Sequence, residues 1–85
     1  METMKSNWEN MEKLLTTFLR SENFNVRLNA AEALSEIKSE NAVDFLTDLL
    51  LGDKGIIVHR RATEALSKIN PEKTINILFE LWKKS

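Results

Sequence analysis

Few side chains in this sequence could do chemistry. His59 is the single histidine, Asp53 stands six residues before it, and there is no cysteine. A histidine acting as a general base needs a nucleophile or a water held in a cleft. No thiol and no strained Gly-Ser turn supplies one here. A metal site needs several ligands at set spacing, and one histidine among scattered carboxylates does not provide it. His59 is therefore read as a packing or capping residue. The residues assign no catalytic group, no metal site and no cofactor, and hence no enzyme. His59-Arg60-Arg61 with Lys68 could bind phosphate as a basic face. Glu64 lies four residues after Arg60 and three after Arg61, a spacing that neutralises charge within one helix. Asp44, Asp48 and Glu80 fall where a ligand would approach, which argues against nucleic acid. A weak nucleic-acid contact through Arg60, Arg61 and Lys68 stays as a secondary reading.

The elements that position these residues follow from composition. Lys and Arg number 12 and Asp and Glu 13, a formal charge of −1 over 85 residues. That balance lacks the electrostatic footprint of a nucleic-acid binder. The length fits one domain, 1–85. Without cysteine there is no disulfide framework. No apolar run approaches the roughly 18 residues of a membrane span. Met1-Glu2-Thr3-Met4-Lys5 lacks the basic flank and apolar stretch of a secretory signal. These features predict a soluble, cytoplasmic module with no membrane partner.

Two Gly and one Pro leave little punctuation for hairpins. Trp8, Met11, Leu14, Leu15, Phe18 and Leu19 recur at helical spacing, as do Val26, Ala30, Ala33, Leu34 and Ile37. Ala42 to Leu50, Val58 to Ile69 and Ile75 to Trp82 continue the rhythm. Ser21, Asn23 and Asn25, then Ser39 and Asn41, offer helix caps between runs. Gly52-Asp53-Lys54-Gly55 is the clearest loop, and Pro71 suits a first helical position. Five helices are predicted, at about 5–20, 25–38, 41–51, 56–69 and 71–84, with neighbours antiparallel.

The chain also overlays itself. Under a shift of 32, Val26, Ala30, Glu32, Ala33, Leu34, Ser35 and Ile37 meet Val58, Ala62, Glu64, Ala65, Leu66, Ser67 and Ile69. Val43, Leu46 and Leu49 meet Ile75, Leu78 and Leu81. A shift of 31 lays the first helix on the third, Leu14 on Phe45 and Phe18 on Leu49. A period near 32 with two helices per unit is an α-solenoid. Val26-Arg27-x-x-Ala30-Ala31-x-Ala33-Leu34-x-x-Ile37 resembles the first helix of a HEAT repeat, and more narrowly the short HEAT-like repeats of phycobilin lyases. The resemblance covers about residues 12–82. It implies a right-handed, all-α superhelix of the HEAT-like or ARM type. In this chain an orphan helix (5–20) would be followed by units at 25–51 and 56–84. The family's Asp six residues before its Arg is Ser21 in the first unit, and its Arg is His59 in the second. Its loop Pro is replaced by Phe24 and Ile56.

The second helices of such units line a concave face. Thr16, Thr47 and Phe79 form one column there, and Thr17, Asp48 and Glu80 another. Lys13, Asp44 and Asn76 form a third; Arg20, Leu51 and Lys83 form a fourth. This predicts a non-enzymatic scaffold that binds a protein or peptide through Thr16, Arg20, Asp44, Thr47, Asp48, Leu51, Phe79 and Lys83. Trp8 and Trp82, on the terminal helices, are the candidates for self-association into a homo-oligomer. The resemblance to phycobilin-lyase repeats also implies a possible accessory part of a lyase-type enzyme. A chain of this length could equally be an excised or engineered piece of a longer solenoid.

Overall fold

The computed structural model describes residues 2–52 and 54–84, with side chains from Glu9 onward. The side chain of Trp8 and all of Asp53 thus lie outside the described residues. Five α-helices are described: α1 (Glu2–Phe18), α2 (Phe24–Glu36), α3 (Val43–Leu51), α4 (Ile56–Ile69) and α5 (Pro71–Lys84). A single 3₁₀ turn, Glu40–Ala42, leads into α3.

Local chemistry sets the ends. Asn23 caps α2, its Oδ1 accepting from the backbone N–H of Asn25 at 2.9 Å and of Val26 at 3.3 Å. Ser39 caps the 3₁₀ turn through Asn41 N–H at 3.2 Å. Gly55, at φ 99°, sits in the left-handed region and turns the chain into α4. Asn70 Oδ1 accepts from Lys73 N–H at 3.0 Å, with Pro71 as the first residue of α5. The end of α2 is less ordinary. Lys38 stands at φ 56°, and Ser39 N–H reaches back to the Leu34 carbonyl at 2.9 Å. This is the left-handed helix stop that glycine usually provides, carried by lysine.

The helices stack as a two-layer solenoid. One layer holds α2 beside α4, and the other holds α3 beside α5, with α1 joined to the start of α3. Each layer covers the other through the α1–α2, α3–α4 and α4–α5 contacts. The extents are 49 × 28 × 16 Å, and the radius of gyration is 13.7 Å against about 12 Å for a compact chain of this length. The shape is therefore a thin slab, in which most helices keep one open side.

The core lies between the layers. Leu28, Ala31, Leu34, Ala42, Leu46, Ala62 and Leu66 are wholly buried, and Leu50 nearly so. Ala30, Ala31, Ala62 and Ala65 are the small residues that let helices approach closely. Phe24, at the position of the family's loop Pro, packs on Phe45 with ring centroids 6.4 Å apart. Arg27 and Lys54 stand over the same ring at 5.6 and 5.1 Å. Ile56, the other replacement, is 85% exposed.

Candidate functional site

The outer face of α4 proves to be occupied by its neighbour. Arg61 donates from Nε to Glu32 Oε2 at 2.7 Å and from Nη2 to Glu32 Oε1 at 2.5 Å. It also reaches Asn29 Oδ1 at 3.2 Å. Lys68 pairs with Glu36. The hydrogen-bonded partners thus come from α2, with Glu64 adding a smaller effect on Lys68, because a 32-residue period sets positions 29 and 61, 32 and 64, and 36 and 68 side by side. The hydrogen bond to Glu32 holds the Arg61 guanidinium above its ordinary pKa, and that to Glu36 does the same for Lys68. Of the basic residues considered for phosphate, two are already engaged by carboxylates.

His59 is a packing residue. Its Nε2 lies 3.2 Å from the Leu50 carbonyl oxygen, tying α4 to the end of α3. In the first unit Arg27 Nη1 donates to the Ser21 carbonyl at 2.6 Å, so a backbone oxygen takes the place of the missing Asp. Among the described residues no group of three His, Asp or Glu is placed to hold a metal ion. No helix among them is long and apolar enough to cross a membrane.

Two grooves mark the layer formed by α1, α3 and α5. The first, about 470 Å³, is lined by Glu9, Glu12, Lys13, Thr16, Thr17 and Asn41. Its Glu12, Thr16 and Asn41 side chains are engaged internally. Ser39 Oγ and Asn41 Nδ2 both donate to Glu12 Oε2, the latter at 3.0 Å. Asn41 Nδ2 also donates to Thr16 Oγ1 at 3.3 Å, and Thr16 donates to the Glu12 carbonyl at 2.7 Å.

The second groove, about 430 Å³, lies between α3 and α5. Thr47 and Leu51 line it from α3, and Lys73, Asn76, Ile77, Glu80 and Lys84 from α5. Thr47 is the repeat equivalent of Thr16, but Lys73 stands where Asn41 stood. The Thr47 hydroxyl is buried and has no hydrogen-bond partner. An orphaned buried hydroxyl is costly unless something binds it. Leu51, 58% exposed, supplies apolar surface at the rim.

The residues singled out from the sequence are thus divided. Thr16 belongs to the first groove, and Thr47 and Leu51 to the second. Asp44 and Asp48 are exposed on α3 and line neither. Arg20 is exposed in the turn after α1. Phe79 and Lys83 lie outside the grooves and gather with Trp82. The Phe79 and Trp82 ring centroids are 6.0 Å apart, and Lys83 Nζ stands 5.7 Å from the Phe79 centroid. Lys83 also pairs with Glu80 at 3.8 Å. The reason is the repeat itself. Phe79 is the equivalent of Thr47, which faces forward to α5, so Phe79 faces forward beyond α5. The groove wall on α5 was readable as a different stripe, Lys73, Ile77, Glu80 and Lys84, at i, i+4, i+7 and i+11.

No curated protein and no solved structure matches the chain significantly. The family model for HEAT repeats does, over residues 11–85, the span that holds the matched helices, their loops and most of both grooves. The chain belongs to the HEAT-repeat family.

Proposed function

We propose that the protein is a non-enzymatic scaffold, one domain of an orphan helix and two units, that binds a peptide segment of a protein partner in the groove between α3 and α5. The observation that carries this reading is the Thr47 hydroxyl, buried without a partner in a groove that also offers Leu51 and Ile77. The groove holds two ammonium groups, Lys73 and Lys84, against one carboxylate, Glu80. Its charge therefore favours a segment with an acidic residue beside an apolar one. Rotation of the Thr47 side chain would bring its hydroxyl to a polar acceptor on that segment, whose apolar side chain would cover Leu51 and Ile77. The first groove has no such opening, because Glu12, Thr16, Ser39 and Asn41 satisfy one another. HEAT repeats generally act as interaction scaffolds, which accords with this reading. Nothing in the structure favours a lyase-type role or nucleic acid.

Selection from a displayed library of random 12-residue peptides tests it. Recovered sequences should pair an acidic with an apolar residue. Their binding should fall about tenfold or more with Leu51→Asp, since burying an unpaired carboxylate opposes docking. It should persist with Lys13→Ala in the first groove. Equal binding by the Leu51 variant would place the site elsewhere.

A further inference from the structure

The two grooves are built on equivalent positions of the repeat. Glu12 and Thr16 of α1 correspond to Val43 and Thr47 of α3. Ser39 and Asn41, before α3, correspond to Pro71 and Lys73 in the first turn of α5. In the first groove Glu12 is a resident carboxylate. Its Oε2 accepts from Ser39 Oγ and Asn41 Nδ2, and Asn41 also donates to Thr16 Oγ1.

In the second groove that carboxylate is gone and its receiver has become a cation. Val43 is a hydrocarbon, 8% exposed, where Glu12 carries its carboxyl group. Pro71 has no donor where Ser39 gave one. Lys73 puts an ammonium where Asn41 put an amide, and it lines the groove. Lys73 is half-buried and makes no ion pair among the described residues. Glu80, the carboxylate of the groove lining, lies about 10 Å further along the α5 axis and pairs with Lys83 instead. Asp44 and Asp48 line neither groove. A partly desolvated ammonium favours an anion beside it.

We propose that the Lys73 ammonium receives an acidic side chain of the bound peptide, at the place that Glu12 fills in the first groove. This rests on the peptide reading of the groove and deepens it by naming the residue that selects the acidic position. A spacing follows. Ile77 lies one turn past Lys73, and Leu51 one turn past Thr47, about 6 Å along each helix axis. The peptide therefore presents its carboxylate and its apolar side chain about that far apart, as residues i and i+2 of an extended chain or i and i+4 of a helix do. Lys84 stands about 16 Å from Lys73 along α5, too far to share that carboxylate.

Calorimetric titration with the selected peptides tests this, each resynthesised with one acidic residue and an amidated C-terminus. Lys73→Ala should weaken binding about tenfold or more, and so should replacing the peptide's Asp or Glu by Asn or Gln. The two changes together should cost little beyond either one. Lys73→Glu should prefer the peptide whose acidic residue is replaced by Lys. Lys84→Ala should weaken binding less than about threefold. Far-UV circular dichroism should match the wild type for every variant, and the change on the peptide leaves the fold untouched. Additive losses, or binding that falls with Leu51→Asp but not with Lys73→Ala, would overturn the carboxylate site and leave the groove standing. Binding indifferent to both Leu51→Asp and Lys73→Ala, or a library that yields no binder, would overturn the groove and this inference with it.

Discussion

The two repeat units carry nearly the same sequence and live in different surroundings. Ser35 and Ser67 occupy equivalent places on α2 and α4, yet Ser35 is 2% exposed and Ser67 lies open. Leu46 is wholly buried and its equivalent Leu78 only half so. Val43 is 8% exposed against 66% for Ile75. Residue type changes little between these pairs, so position in the stack decides burial. In a solenoid each unit is completed by its neighbour, and the first unit has one on each side. The second unit has adapted in one layer, with Arg60 and Thr63 in place of Leu28 and Ala31, and has kept apolar residues in the other.

Matched substitutions should expose that difference. The largest contrast is charge insertion. Val43→Lys should cost more than about 3 kcal/mol, because it buries an unpaired ammonium. Ile75→Lys should stay within about 0.5 kcal/mol in dilute solution, as a surface change does. Urea denaturation of both variants measures this, and equal losses would mean that stack position does not govern burial. Cavity formation comes next. Leu46→Ala should cost about 3–5 kcal/mol, and Leu78→Ala roughly half of that, because a half-open site relaxes into solvent.

Smaller effects concern how the units are joined. Arg61→Ala removes a bidentate pair between α2 and α4 and should cost about 1 kcal/mol, less at high salt. Glu64→Ala, at the equivalent of Glu32 but exposed, should be near neutral in the same salt series. Lys38→Gly should stabilise by roughly 0.5–1 kcal/mol, because the left-handed stop of α2 strains any residue with a Cβ. A rise in thermal midpoint with unchanged helicity would register it.

Much of the fold was legible because one period governs it. The apolar rhythm and the breaks at Asn23, Gly52 to Gly55 and Pro71 located all the described helices. The misses have local causes. Helix α2 ends at Glu36 rather than near Lys38, and no glycine announces that stop. The third helix begins as a 3₁₀ turn, which hydrophobic spacing does not distinguish from α. The pairing of Arg61 and Lys68 with α2 depends on helices lying side by side, which a search within one helix does not see. The lining of the groove between α3 and α5 was half legible. Thr47 and Leu51 were found by column, but carrying the column one unit further led to Phe79, at the end of the stack. The opposite wall needed the neighbouring stripe of α5.

Helix α3 buries Val43, Leu46, Leu49 and Leu50, whereas on α5 Thr74 is the buried residue among those described. Amide hydrogen exchange, followed residue by residue by NMR in dilute protein, tests that contrast most directly. Amides of α3 should exchange only through global unfolding. Amides of α5 should exchange faster, through local opening. Protection of α5 equal to that of α3 in the dilute protein would contradict the asymmetry.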